Sequence, residues 1–282
     1  MVDTFLFQFE HLDDPNKLAL RFPRSHVNLG AMEAAPAAPT LDDDALDAAN
    51  ARLEGADAET VIAWAAETFG KGLVMSSSFG AHSAVMLHLV HRVVPDLPIL
   101  FIDTGYLFPE TYRFAQELTE RFRLNLKVYG PDMTPARQEA LFGRLWEQGE
   151  EGVEEYLRRN KVEPLQRALR EHQATSWLAG LRADQTEHRA GLRRVDRQGT
   201  RIKVHPILDW TIEDVEDYLD RHDLPLHPLY HEGYRSIGDV HSTLPTTPDM
   251  DPRDGRILGK KRECGIHVLS PEQNQSFKSS GL

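Results

Sequence analysis

Between residues 72 and 129, short apolar runs alternate with longer stretches of helical period. Gly72–Met75, Pro98–Ile102 and Leu124–Tyr129 have strand length. Continuous apolar runs of this size, bounded by turn residues, fit strands buried on both faces. Ala81–Arg92 is mostly apolar and long enough for a buried helix. Pro109–Phe122 is a second helix, with proline in the first turn, where a missing N–H costs nothing. Strand, helix, strand, helix, strand implies right-handed crossovers, hence an α/β fold with a mostly parallel sheet and helices on both faces. Upstream, Asp42–Leu53 and Ala58–Thr68 carry apolar residues at helical intervals. Downstream, residues 134–172 are mainly helical and charged, Thr175–Leu181 is a fourth strand and Arg201–Val204 a candidate fifth. Thr211–His222 is an amphipathic helix that Thr211 can cap. From Leu224 onward Pro, Gly and His dominate, which predicts loops. Glu33–Thr40 has linker composition. Residues 1–41 therefore read as a flexible extension, 42–243 as the domain and 244–282 as a mobile C-terminal tail.

Composition narrows the function. A chain of 282 residues with 40% hydrophobic content suits one large domain with extensions. A net charge of −12 argues against nucleic acid as a general partner, yet leaves room for a local basic pocket holding a small anion. No apolar run approaches the ~18 residues of a membrane helix, and the short acidic start Met1–Asp14 lacks the features of a secretory signal. A cytoplasmic protein is expected. Cys264 is the only cysteine. One thiol excludes an intramolecular disulfide, a Cys-rich zinc site and a four-thiolate iron–sulfur cluster within one chain.

Four stretches carry candidate chemistry. Ser76-Ser77-Ser78-Phe79-Gly80 follows the first strand and opens a helix, the usual ligand crevice of an open α/β sheet. Its backbone N–H groups suit an anion, or its serines simply cap the helix. It is neither a Walker loop nor Gly-x-Gly-x-x-Gly. Asp103-Thr104-Gly105-Tyr106 ends the second strand, and Asp103 either meets a ribose or adenine edge or starts a turn. Gly180-Leu181-Arg182, with Gln185 and Arg189, follows the fourth strand, and two arginines at one sheet edge can grip sulfate or phosphate. The last stretch is the tail: Arg253-Asp-Gly-Arg256, then Lys260-Lys-Arg-Glu-Cys264-Gly-Ile-His267. Neighbouring cations and His267 favour the thiolate, the nucleophilic form of a cysteine, although a lone cysteine is also commonly an inert core residue. His222, His227, His231 and His241 lack a tight ligand spacing, so no metal site is expected.

Taken in order, these segments resemble the thioredoxin-dependent adenylyl/phosphoadenylyl sulfate reductase family. The resemblance rests on Ser76–Ala81, Asp103–Tyr112, Leu145–Gly149, Lys161–Leu165, Gly180–Arg182, Trp210, His227–Tyr230, Gly233-Tyr234, Gly238–Thr243 and Lys261–His267, and spans roughly residues 55–268. It implies an adenine nucleotide α-hydrolase-like fold. It also implies a two-step reaction in which a thiolate takes the sulfonyl group from a sulfonucleotide and a thioredoxin or glutaredoxin then releases sulfite. Cys264 stands at the position of the family's nucleophile. Ser76, Ser77, Ser78, Phe79, Gly80, Asp103, Thr104, Lys161, Gly180, Arg182, Arg253, Arg256 and His267 stand at positions that resemble substrate-binding ones. With no second thiol in the chain, reducing equivalents must come from outside.

The family has a branch that carries an iron–sulfur cluster and reduces adenylyl sulfate. This chain departs from it at both cysteine pairs, with Tyr156-Leu157 at one and Asp239-Val-His-Ser242 at the other. The resemblance thus implies the cluster-free branch, no bound cofactor, and 3′-phosphoadenylyl sulfate as substrate; a cluster-free adenylyl-sulfate reductase is the alternative. A homodimer is expected, although the sequence itself does not specify it. Two further rivals are an ATP-pyrophosphatase-type enzyme on the same scaffold, which would carry a Ser-Gly-Gly-x-Asp-Ser loop, and a nucleotide-binding protein whose thiol only senses oxidation.

Overall fold

The computed structural model describes residues 41–247, 249–251 and 253–256. Cys264, His267 and nearly all of the N-terminal extension lie outside them. Asp42 and Asp57 cap α1 (Asp43–Arg52) and α2 (Ala58–Phe69), each carboxylate accepting an N–H of the first turn. The chain continues as β1 (Leu73–Ser77), α3 (Ser83–Val93), β2 (Pro98–Ile102), α4 (Pro109–Phe122) and β3 (Asn125–Tyr129). Next come α5 (Pro135–Phe142), α6 (Gly149–Leu157), α7 (Glu163–Glu171), β4 (Ser176–Leu178), α8 (Glu187–Ala190), β5 (Val195–Gln198), β6 (Arg201–Val204) and α9 (Ile212–Arg221).

The strands form one six-stranded sheet in the order β3-β2-β1-β4-β6-β5. Every neighbouring pair is parallel except β5–β6. The sheet is mostly parallel as expected, but the antiparallel edge strand β5 was not foreseen and the fourth strand is shorter than Thr175–Leu181. Successive side chains of a strand point to opposite faces, and the core divides accordingly. Leu73, Met75, Ile99, Phe101 and Leu178 pack with the apolar residues of α1–α4 and α9. Val74, Leu100 and Trp177 pack against Leu165, Ala168 and Leu169 of α7. Each fully buried side chain of this size contributes about 1.5–3 kcal/mol, so both helix layers are held by apolar burial. No helix among the described residues is long and apolar enough to cross a membrane.

Two features of this frame set up the site. From β1 the chain moves to β2 on one side and later returns to β4 on the other, so the carboxyl ends of β1 and β4 flank a topological switch point, where open α/β sheets bind ligands. Between α6 and α7, Arg158–Val162 forms a π turn, closed by the Glu163 N–H donating to the Arg158 carbonyl. Pro164 explains it: proline cannot donate to the carbonyl four residues back, and its ring crowds that carbonyl, so the helix widens. The wide turn buries Asn160, Lys161 and Val162.

Candidate active site

A cavity of about 260 Å³ opens at the switch point between β1 and β4. Ser76, Ser77, Ser78 and Gly80 form one wall, and Gly180 and Arg182 another. Six cationic side chains line it: Lys161, Arg182, Arg189, Arg235, Arg253 and Arg256. No acidic residue stands among its described lining residues. In a chain of net charge −12, that concentration of positive charge suits the cavity to an anion.

The loop after β1 owes its shape to Phe79. The residue is fully buried, packs edge-on against Phe101 at 4.9 Å between ring centroids, and has φ of +48°. Left-handed backbone is costly for a phenylalanine, and burial of the ring holds it there. The Phe79 N–H donates to Ser77 Oγ at 3.2 Å, and Ser83 Oγ donates to the Gly80 carbonyl at 2.9 Å. Phe79 is therefore the loop's anchor and not part of the cavity wall, which departs from its expected place with the serines. The helix begins two residues later than expected, at Ser83. His82 and Ser83 thereby join the lining. Burial, with Arg182 beside it, holds the His82 pKa down to about 4, so its imidazole is neutral at pH 7.

Asp103 and Thr104 also lie outside the lining, because both are used in the turn after β2. Asp103 Oδ1 accepts from the Gly105 N–H at 2.8 Å and from the Tyr112 hydroxyl at 2.7 Å. Gly105 supplies the φ of +75° that this turn needs. Thr104 is buried, and its hydroxyl donates to Asp239 Oδ1 at 2.6 Å. The other Asp239 oxygen meets Lys161 Nζ at 2.6 Å. Burial pushes the Asp239 carboxyl up, but the Lys161 ammonium and the hydrogen bonds from Lys161 and Thr104 outweigh it, and its pKa lies below the usual value. The π turn, this carboxylate and Thr104 together fix Lys161 in the wall.

On the β4 side, Arg182 is held bidentately by Asp184 at 3.0 and 3.2 Å. Gln185 Oε1 accepts from the Arg182 N–H at 3.2 Å and from the Arg189 guanidinium. Such fixed forks match sulfate and phosphate oxygens. Arg235 was missed by sequence reasoning. Its guanidinium donates to Thr246 Oγ1 at 3.0 Å and to the carbonyls of Thr247 and Met250, so these three residues hold it in place. Nothing in the sequence around Arg235 signals that closure.

The histidines are dispersed. His227 is buried, with Nδ1 accepting from the Leu229 N–H at 3.2 Å and the protonated Nε2 of that tautomer donating to Thr111 Oγ1 at 3.0 Å; burial lowers its pKa to about 4. His241 stacks on Trp146 at 3.8 Å and meets Tyr156 edge-on at 4.8 Å. Among the described residues, no group of three His, Cys, Asp or Glu side chains could hold a metal ion. The two places where cluster-bearing relatives have cysteines do come together, through Tyr156 against His241. The groups there are a phenol, an imidazole and the Lys161-paired carboxylate of Asp239, and with one cysteine in the chain a four-thiolate cluster does not fit.

The mostly parallel sheet with its switch-point cavity is that of an adenine nucleotide α-hydrolase-like protein, and the cationic walls suit a polyanion. The comparisons with known proteins are specific. The profile of the phosphoadenosine phosphosulfate reductase domain matches residues 72–245, and the chain belongs to that family. It is 56% identical over 233 residues to the phosphoadenosine 5′-phosphosulfate reductase of Synechocystis, covering 82% of this chain and 94% of that one. The enzyme of the same name from Thiocapsa roseopersicina is 55% identical over 80% of this chain and 95% of its own length. A crystal structure of phosphoadenylyl-sulfate reductase from Candida auris, in complex with phosphate, covers 73% of this chain and all of its own, with a TM-score of 0.66 at 28% identity. Candida glabrata FMN adenylyltransferase shares the fold at a TM-score of 0.50 and 17% identity.

Proposed function

We propose that this protein reduces 3′-phosphoadenylyl sulfate to sulfite and adenosine 3′,5′-bisphosphate, with Cys264 as nucleophile. The observation that carries this is the position of Arg256, which lines the cationic cavity only eight residues before the sole cysteine. Eight extended residues reach about 26–29 Å, enough to bring the thiol over any part of the cavity. The relatives from Synechocystis and Thiocapsa roseopersicina, both named phosphoadenosine 5′-phosphosulfate reductase, support the same substrate.

In the first step the Cys264 thiolate attacks the sulfate sulfur of the nucleotide. The S–O bond to the phosphate breaks, and the bisphosphate leaves with the bonding pair. In the second, a redoxin thiolate attacks the Cys264 sulfur of the S-sulfocysteine. Sulfite departs with the electron pair, and a second redoxin thiol resolves the mixed disulfide. The two electrons thus come from the dithiol. Ser76–Ser78, Gly180, Lys161, Arg182, Arg253 and Arg256 hold the phosphate and sulfate oxygens, and His267 joins them from the tail. The arginines and Lys161 offset the charge that develops on the leaving group, and the cations preceding Cys264 favour its thiolate. Asp103 and Thr104 act through the turn they build. The tail from 244 to 282 presents Cys264 first to the nucleotide and then to the redoxin. The protein works in the cytoplasm without an iron–sulfur cluster, as a homodimer, with thioredoxin or glutaredoxin as donor.

Sulfite release from 3′-phosphoadenylyl sulfate and from adenylyl sulfate, with reduced thioredoxin, tests the proposal. The phosphorylated nucleotide is the preferred substrate, and Cys264→Ser abolishes turnover. Preference for adenylyl sulfate would overturn the choice of substrate.

A further inference from the structure

Gly238 and Arg256 meet in the cavity wall in a way that leaves no room for a side chain. A Cβ at position 238 would lie 2.6 Å from Arg256 Cζ and 3.0 Å from Nη1. The backbone does not itself call for glycine, because Gly238 is not among the residues of positive φ. The three atoms nearest that Cβ all belong to the guanidinium. Arg256 donates to the carbonyl of Ile237, and its own backbone is tied down beside Gly238. Thr243 and Arg256 form a β-bridge, the Leu244 N–H donates to the Gly255 carbonyl at 2.8 Å, and the Gly238 N–H donates to Thr243 Oγ1 at 3.2 Å.

We infer that Gly238 is a positioning residue of the anion site: its missing side chain lets the Arg256 guanidinium lie against the backbone at the cavity wall. The same contact fixes where the chain that runs on to Cys264 leaves the cavity. This rests on reading the cavity as the nucleotide site. A methyl group at 238 collides with the end of a flexible side chain and not with backbone, so the arginine yields before the fold does. Gly238→Ala therefore keeps its stability and loses its anion grip, because a charge-assisted hydrogen bond has been removed from the site.

The test uses four full-length proteins: wild type, Gly238→Ala, Arg256→Ala and the double variant. Calorimetric titration with adenosine 3′,5′-bisphosphate reads the site, and thermal unfolding reads the fold. Gly238→Ala is expected to bind at least about tenfold more weakly, the loss of one charged hydrogen bond, with its Tm close to that of the wild type. In the Arg256→Ala background the alanine at 238 has nothing to displace, so the double variant binds within about twofold of Arg256→Ala alone, as coupled residues do. Wild-type affinity in Gly238→Ala, or losses that multiply in the double variant, would overturn the inference. A crystal structure of Gly238→Ala reads the same event without ligand. Departure of Arg256 from the Ile237 carbonyl supports the inference, and a retained bond overturns it. Failure of the wild type to bind the bisphosphate would instead count against the nucleotide site, and the ligand-free structure still decides the role of Gly238.

Discussion

Replacing Lys161 by methionine isolates the buried charge that organises the cavity wall. Methionine keeps most of the side-chain length and removes the ammonium. Lys161 and Asp239 are 9% and 1% exposed at their side chains, so neither exchanges its partner for water. Breaking a buried ion pair by removing one member costs about 3–5 kcal/mol, because the other charge stays buried. Thr104 still donates to Asp239, which places the expected loss near the lower end, about 3 kcal/mol. The pH dependence carries a sign of its own. In the wild type the Asp239 pKa is depressed, so its contribution is present above 3.8 and is lost as pH falls through the lower folded value. In Lys161→Met, burial without the ammonium raises that pKa above 3.8. The deficit is then largest at neutral pH and shrinks on acidification, as the carboxyl takes up a proton in the folded state first. Urea unfolding followed by circular dichroism between about pH 7 and pH 5 reads the difference between the two proteins, and groups common to both cancel. A deficit below about 1 kcal/mol, or one independent of pH, would refute the reasoning. Adding Asp239→Asn should recover much of the stability and none of the bisphosphate affinity, since the cavity has still lost a cation.

His227→Gln tests a second buried titration. The pKa of His227 falls to about 4, so the unfolded chain binds its proton first and wild-type stability drops as pH falls from 6.5 toward 4; the variant's unfolding free energy should vary less steeply there, by up to about 1.4 kcal/mol per pH unit. Phe79→Ala should cost about 3–5 kcal/mol in urea unfolding and weaken bisphosphate binding as well, because the β1 loop loses its anchor. Arg182→Ala should raise KM for the sulfonucleotide by about tenfold or more, and an unchanged KM would remove this fork from the binding site.

Much of the fold was legible because local signals agreed with it. The strand at Pro98–Ile102 and the helix at Pro109–Phe122 were placed at their observed ends, the first by a short apolar run and the second by a proline at its first turn. Strand β5 was hidden because Val195–Gln198 holds a single apolar residue and is stabilised by its antiparallel partner. The serine loop and the arginines after β4 were legible as neighbours at one cavity because both follow parallel strands at the same sheet edge. What each neighbouring residue does was less so. Asp103 and Thr104 sit in the right loop, yet the hydrogen bonds that occupy them run to residues as far away as Asp239, a pairing across 135 positions. Lys161 faces inward through a π turn, which shifts the face that a regular helical period would assign. Arg235 is set by a loop closure that leaves no periodic trace.

The most direct test of the central proposal is mass spectrometry of the protein after incubation with 3′-phosphoadenylyl sulfate, with every reductant withheld. A single SO₃ adduct on the peptide containing Cys264, discharged as sulfite when reduced thioredoxin is added, is the expected result. An unmodified Cys264 with bisphosphate still released, or sulfite formed by the Cys264→Ser protein, would contradict it.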